Sequence, residues 1–150
     1  MKTIQLISTS NEDRIYNEGI IYLGNWCTEE KYIIDDSRVS YYPWDNRKKL
    51  EKDNEYLTKL YENILNDLSS LLDDFHNQKN SKSYWRILIG YWLFYYLSTN
   101  YERWENIDYV LSNNTEINFY QSLDIDNIPV PYNTREFINL TSDKKWNHLK

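Results

Sequence analysis

The chain has 150 residues, a mass of 18.4 kDa and a formal net charge of −6. Fifteen Tyr, six Trp and four Phe stand against three Gly and no Ala. That excludes a disordered chain, which lacks aromatics, and a Gly-rich or collagen-like segment. The length suits one domain, or one lobe of something larger.

The sequence pI is about 4.9. Nucleic-acid affinity comes from Lys and Arg neutralising phosphates, so an acidic chain without a basic stripe is a poor candidate. The densest basic run, Arg47-Lys48-Lys49, is answered by Glu51 and Asp53 and reads as a solvated helix start. The single cysteine, Cys27, has no partner for an internal disulfide and suits a reducing compartment. The first 20 residues carry Glu12, Asp13 and Glu18, so no signal peptide is expected. The most apolar run, Ile87 to Leu97, has eleven residues. A membrane span needs about 20, so no transmembrane segment is expected. The expected location is the cytoplasm, at most peripheral at the inner membrane.

In chain order, residues 3–8 read as a short strand with Ile4 and Leu6 on one face. Residues 9–19 read as a loop. Ile20 to Leu23 is a continuous apolar run, as in a strand buried on both faces of a parallel sheet. Thr28-Glu29-Glu30 can cap a brief helix through Ile34, and residues 38–42 read as a third strand stopped by Pro43. Strand, short helix and strand then form a compressed crossover.

Asp45 or Asn46 can N-cap the next helix. Leu50, Leu57, Leu60, Ile64, Leu68, Leu71, Leu72 and Phe75 make one apolar stripe over about 47–76. A stripe this long allows a kink or break. Residues 77–80 read as a turn, and Ser81 or Ser83 caps a helix over about 82–112. Between 84 and 97 it is apolar almost all round, which predicts a central helix. Gly90 inside it costs about 1 kcal/mol against Ala, an expense that close approach of another backbone would offset. Residues 116–121 read as a strand and 124–131 as a loop. Asn133 or Thr134 caps a short helix through Leu140, and residues 141–143 cap another that starts at Lys144 and stops at Lys150. That abrupt stop, under two turns in, reads as a cut chain. The fold class expected is α/β, a small mainly parallel sheet with two long central helices.

Three glycines at 19, 24 and 90 exclude the dinucleotide fingerprint. Gly19 and Gly24 have phosphate-loop spacing, but Asn25-Trp26 stands where Lys and Ser or Thr are needed. His76, His148 and Cys27 lack the spacing of a metal site, so neither metal nor cofactor is expected. What remains are four words that join aromatics to polar groups: Leu23-Gly24-Asn25-Trp26-Cys27, Tyr42 to Arg47, Ser83 to Gly90, and Arg103-Trp104. A Trp beside Asp and Arg suits a sugar or phosphosugar. The ring face meets C–H groups, the carboxylate takes hydroxyls and the guanidinium takes an anionic group. The candidate bases are Asp45 and His76. Trp26, Trp44, Arg47, Trp85, Arg86 and Arg103 are the candidate substrate contacts. Each has a plainer reading. Trp and Tyr dominate cores by area, Asp45 can be a cap, and His76 can face a helix C-terminus. Arg86 can pair with Asp45 or another carboxylate, and Cys27 can be a small buried apolar group.

Taken together, these words resemble the N-terminal region of a family of large bacterial transferases linked to surface-carbohydrate (polysaccharide) synthesis. The resemblance runs through residues 23–27, Trp44-Asp45-Asn46-Arg47, the helix from Asp53 through Tyr56-Leu57 to Leu60-Tyr61-Glu62, His76, residues 84–90 with Trp92, Arg103-Trp104 and Trp146-Asn147-His148. Three positions depart from it. Asn25 stands where an acid is usual, Pro43 where His is usual, and Tyr91 where Pro is usual. Pro43 removes a titrating group from beside the proposed site. The resemblance implies part of the N-terminal lobe of a two-lobed glycosyltransferase, facing a carbohydrate or lipid-linked sugar acceptor. The C-terminal lobe, which would hold the activated sugar, is missing, so the chain alone is expected to be inactive. The alternative is a non-catalytic carbohydrate-binding or protein-interaction module.

Overall fold

The computed structural model describes residues 4–7, 19–27, 39–114, 116–119, 130–143 and 146. The expected helix over 28–34, most of the 9–19 and 124–131 loops, and most of the final helix lie outside them.

Strands β1 (Ile4–Ile7), β2 (Ile20–Tyr22) and β3 (Ile117–Phe119) are four, three and three residues long. They pair in parallel in the order β2-β1-β3, with Leu6 opposite Ile21 and Phe119. The expected strand at 38–42 is reduced to one parallel bridge between Tyr22 and Val39. Against these stand helices α1 (Arg47–His76), α2 (Lys82–Asn113) and α3 (Thr134–Thr141), of 30, 32 and 8 residues. The fold is therefore mainly helical, and the α/β class expected from the sequence is wrong. An α/β fold alternates strands with helices that cover a sheet. Here the two longest helices follow one another directly through a short turn.

The chain divides into two compact units, Met1–Tyr42 with Arg103–Lys150, and Pro43–Glu102. In the first, Leu6, Ile20, Tyr22, Leu23, Cys27 and Val110 form a buried cluster, with Ile21, Trp26 and Ile117 packed on it. Cys27 is one of its small apolar members. Asn133 caps α3 through its side chain, which accepts from the Glu136 amide, and the Glu136 carboxylate accepts from the Tyr132 amide. Asp143 caps the next turn by accepting from the Trp146 amide.

The second unit contains no strand among its described residues. Its α1 is continuous, without the break its length allowed. Asn46, not Asp45, is the N-cap, its side chain accepting from the Lys49 amide. The buried positions Asp53, Leu57, Leu65 and Ser69 advance in four-residue steps, with half-buried Tyr61 filling the series. Such a line tilts across the helix surface and forms a ridge for a neighbouring helix. Asn77 ends α1 in the left-handed conformation at φ 51°, and its amide bonds back to the Asp73 and Asp74 carbonyls.

From α2, Trp85, Gly90 and Leu93 are buried, while Ile87, Leu88 and Tyr91 are 83%, 56% and 62% exposed. The first half of α2 is thus buried on one side only, not central as its all-round apolarity predicted. Phe75, placed on the apolar stripe of α1 by its spacing, is exposed as well, as are Tyr56 and Tyr84. A Cβ on Gly90 would stand 2.5 Å from the Tyr61 hydroxyl and 3.2 Å from Arg86 Cγ. The group that Gly90 admits is therefore a side-chain tip rather than another backbone.

Candidate functional site

Three carboxylates on α1 anchor a set of polar and aromatic groups in the second unit. Asp53 is 3% exposed. It accepts from Trp44 Nε1 at 3.1 Å and from the Tyr101 hydroxyl at 3.2 Å, and it pairs with Lys49 Nζ at 2.9 Å. Glu62 pairs with Arg86 Nη2 at 2.7 Å and Lys82 Nζ at 3.0 Å. Asp73 accepts from Trp85 Nε1 at 2.9 Å and from the amide and side chain of Asn80. The Lys82 hydrogen bond is the main reason the Glu62 carboxyl titrates below its ordinary value, with both cations assisting against a burial penalty. For Asp73, desolvation pushes the carboxyl up. The bonds from Trp85 and Asn80 outweigh it and hold the group below the usual range.

These anchors separate the candidate residues. Asp53 and Glu62 are nine residues apart on α1, about 13 Å along the axis and half a revolution around it. Trp44, held by the first, and Arg86, held by the second, are thus drawn to different parts of the helix. Arg86 pairs with Glu62, not with Asp45, and its side chain is 48% exposed. Exposed pairs of this kind contribute little to stability. Asp45 and His76 flank the 30-residue α1, which puts about 45 Å between its ends. One substrate site cannot use both as its base.

At the far end, His76 stacks on Trp85 at 6.0 Å and meets Phe75 edge-on at 5.0 Å. It lies in the last turn of α1, where a cationic ring complements the helix dipole. Trp85 is 6% exposed, with Tyr84 edge-on at 5.1 Å, so it fills the hairpin and offers a ligand little surface. At the near end, Pro43, Trp44 and Asp45 form a single 3-10 turn. Trp44 is half-buried, and Asp45 and Arg47 are exposed. Arg47 makes only a loose pair with Glu51 at 3.4 Å. Asp45 has no hydrogen bond or ion pair among the described residues.

In the other unit, Trp26 and Arg103 do come together. The guanidinium lies 5.4 Å from the indole centroid, and its Nη2 donates to the Thr141 carbonyl at 2.9 Å. Gly24 makes this fold possible, because a Cβ there would collide with the Trp26 ring.

Sequence reasoning missed Asp53, Glu62 and Asp73 as anchors. The signal for Asp53 was present: it stands four residues before Leu57 on the apolar stripe, where a lone carboxylate must find donors. Glu62 and Asp73 each lie about half a revolution from Asp53, off that stripe, and only the packing of α2 shows what they hold. Among the described residues there is no group of three His, Cys, Asp or Glu side chains fit for a metal. No described helix is long and apolar enough to cross a membrane.

The family model described as LIC12162 family transferase matches residues 4–149. The chain belongs to that family. No curated protein and no solved structure matches it. The transferase class of this LIC12162 family member comes from the family match.

Proposed function

We propose that this chain is the acceptor-binding part of a transferase that moves a glycosyl group from an activated sugar during surface-carbohydrate synthesis. The observation that carries the reading is the turn before α1. It holds an exposed carboxylate, Asp45, directly after Trp44 in the chain and two residues before Arg47. Helix capping does not account for Asp45, because Asn46 performs it.

In this reading the acceptor sugar lies against Trp44, and Asp45 takes the proton of its hydroxyl. The oxygen attacks the anomeric carbon of the donor. The new C–O bond forms as the bond to the leaving phosphate breaks, and the phosphate departs with the electron pair. Arg47 faces an anionic group of the acceptor or the leaving phosphate. His76 is too far from this turn to share the step, so Asp45 is the base. With three glycines and no phosphate cradle, the activated sugar binds outside these 150 residues.

The test is a donor and acceptor screen on the transferase, followed by Asp45→Asn. Turnover should fall well over tenfold with the unfolding temperature unchanged. Sugar binding without transfer would leave only the non-catalytic module. Unchanged turnover in Asp45→Asn would remove Asp45 as the base.

A further inference from the structure

The geometry points to Asp53 as the positioning residue of the Trp44–Arg47 segment. We infer that its buried carboxylate sets the angle at which that segment meets an acceptor sugar.

Asp53 is 3% exposed, yet its carboxylate is met by three polar donors. Oδ2 takes the Trp44 indole N–H at 3.1 Å and lies 2.9 Å from Lys49 Nζ, while Oδ1 takes the Tyr101 hydroxyl at 3.2 Å. The three donors come from the turn before α1, the first turn of α1 and the body of α2. A carboxylate has about four acceptor sites, so this one is nearly saturated. Tyr101 is held in turn by Tyr56, 5.6 Å away ring to ring, and by Lys49, 6.0 Å from its ring centroid.

Stability alone does not call for a charge at this place, since well-packed apolar groups often replace a buried ion pair without loss. An apolar residue could not, however, give direction. An indole held only by packing can rotate about χ2, whereas an indole whose N–H is aimed at a fixed oxygen cannot. Trp44 is the residue directly before Asp45 and the third before Arg47, so fixing its ring fixes the turn that presents both. Asp53 itself has no surface with which to touch a substrate. It acts through Trp44.

The inference deepens the acceptor-site reading and rests on it for the catalytic consequence. The clasp itself can be read without it. Two variants of the transferase, Asp53→Leu and Asp53→Asn, are compared with the parent by two measurements. The first is the indole 1H–15N spectrum, with the Trp44 signal assigned through Trp44→Phe. Both variants should move that signal and speed its hydrogen exchange at least tenfold. The second is steady-state kinetics with the acceptor found by screening. Acceptor KM should rise at least fivefold with donor KM unchanged, and Asp53→Leu should add nothing further in a Trp44→Phe background. Loss of folded protein would instead lower kcat and leave both KM values alone. An unmoved Trp44 signal in both variants overturns the clasp. A moved signal with unchanged acceptor KM overturns the positioning role. If Asp45→Asn and Trp44→Phe are themselves silent in turnover, the acceptor-site reading fails, while the spectrum still decides the clasp. Should Asp53→Leu not fold, Asp53→Asn, which keeps the size and one acceptor oxygen, gives the same decision.

Discussion

Gly90 offers the sharpest energetic test of the helical hairpin. Replacing a helical Gly by Ala gains about 1 kcal/mol of helix propensity. At this site the new methyl would stand 2.5 Å from the Tyr61 hydroxyl. Overpacking of that kind costs about 1–3 kcal/mol. The Tyr61 ring is half-buried and set edge-on against Phe94 at 6.2 Å, so moving its hydroxyl disturbs that contact. Gly90→Ala should therefore be neutral to destabilising by about 2 kcal/mol. Tyr61→Phe removes the offending oxygen, and the next ring atom, Cζ, lies 3.7 Å from the Cβ position, an ordinary contact. The remaining 3.2 Å contact is with Arg86 Cγ, on a half-exposed side chain that can yield. In the Tyr61→Phe background, Gly90→Ala should stabilise by about 0.5–1 kcal/mol. The assay is urea unfolding of all four proteins at constant slope. The cycle should give a coupling of about 1–3 kcal/mol. A Gly90→Ala change that raised the midpoint equally in both backgrounds would refute the reasoning.

Three further outcomes follow from the same unit. Leu65 is fully buried, so Leu65→Ala should cost about 2–5 kcal/mol in unfolding free energy; a cost under about 1 kcal/mol would mean the hairpin collapses into the cavity. Asn77 holds φ 51° at the end of α1, so Asn77→Ala should cost about 1–2 kcal/mol and Asn77→Gly should be neutral or slightly stabilising in the same melts. Glu62 titrates below its ordinary value in the folded chain, chiefly through the Lys82 hydrogen bond. Its contribution is present above the unfolded value, about 4.3, and is lost as pH falls through that value and then the folded one. Glu62→Gln should therefore flatten the acid side of the stability profile below about pH 4.3 and leave its slope near neutrality unchanged; an unaltered acid limb would show that the pair does not act.

Much of the helical part was legible in the sequence because its signals are local. The three- and four-residue spacing from Leu50 to Phe75 marks α1. Asn77 and the polar residues after it mark the turn. The apolar run from Tyr84 to Leu97 marks α2, and Asn133 marks the start of α3. The strands misled the fold class. Short apolar runs do pair, as Ile4–Ile7 with Ile20–Tyr22, but in strands of four and three residues beside helices of 30 and 32. The candidate site was legible only as words. Trp44, Asp45 and Arg47 stay together because they are near-consecutive at one turn. Arg86, Trp85 and His76 share with them only the pattern of aromatics beside polar groups, and their contacts lie elsewhere along the 30-residue α1.

The long helices, the candidates for their caps and the net acidic charge can be read from the chain alone. Each depends on neighbours within a few residues, or on totals. Only the tertiary structure decided which carboxylate each donor takes. Arg86 takes Glu62, 24 residues away, and Tyr101 takes Asp53, 48 away. Those pairings depend on how α2 returns along α1, and no local spacing encodes that register. The same packing leaves Ile87 and Tyr91 exposed and Trp85 buried, because one neighbouring helix covers one side of α2, however apolar the rest of its circumference is.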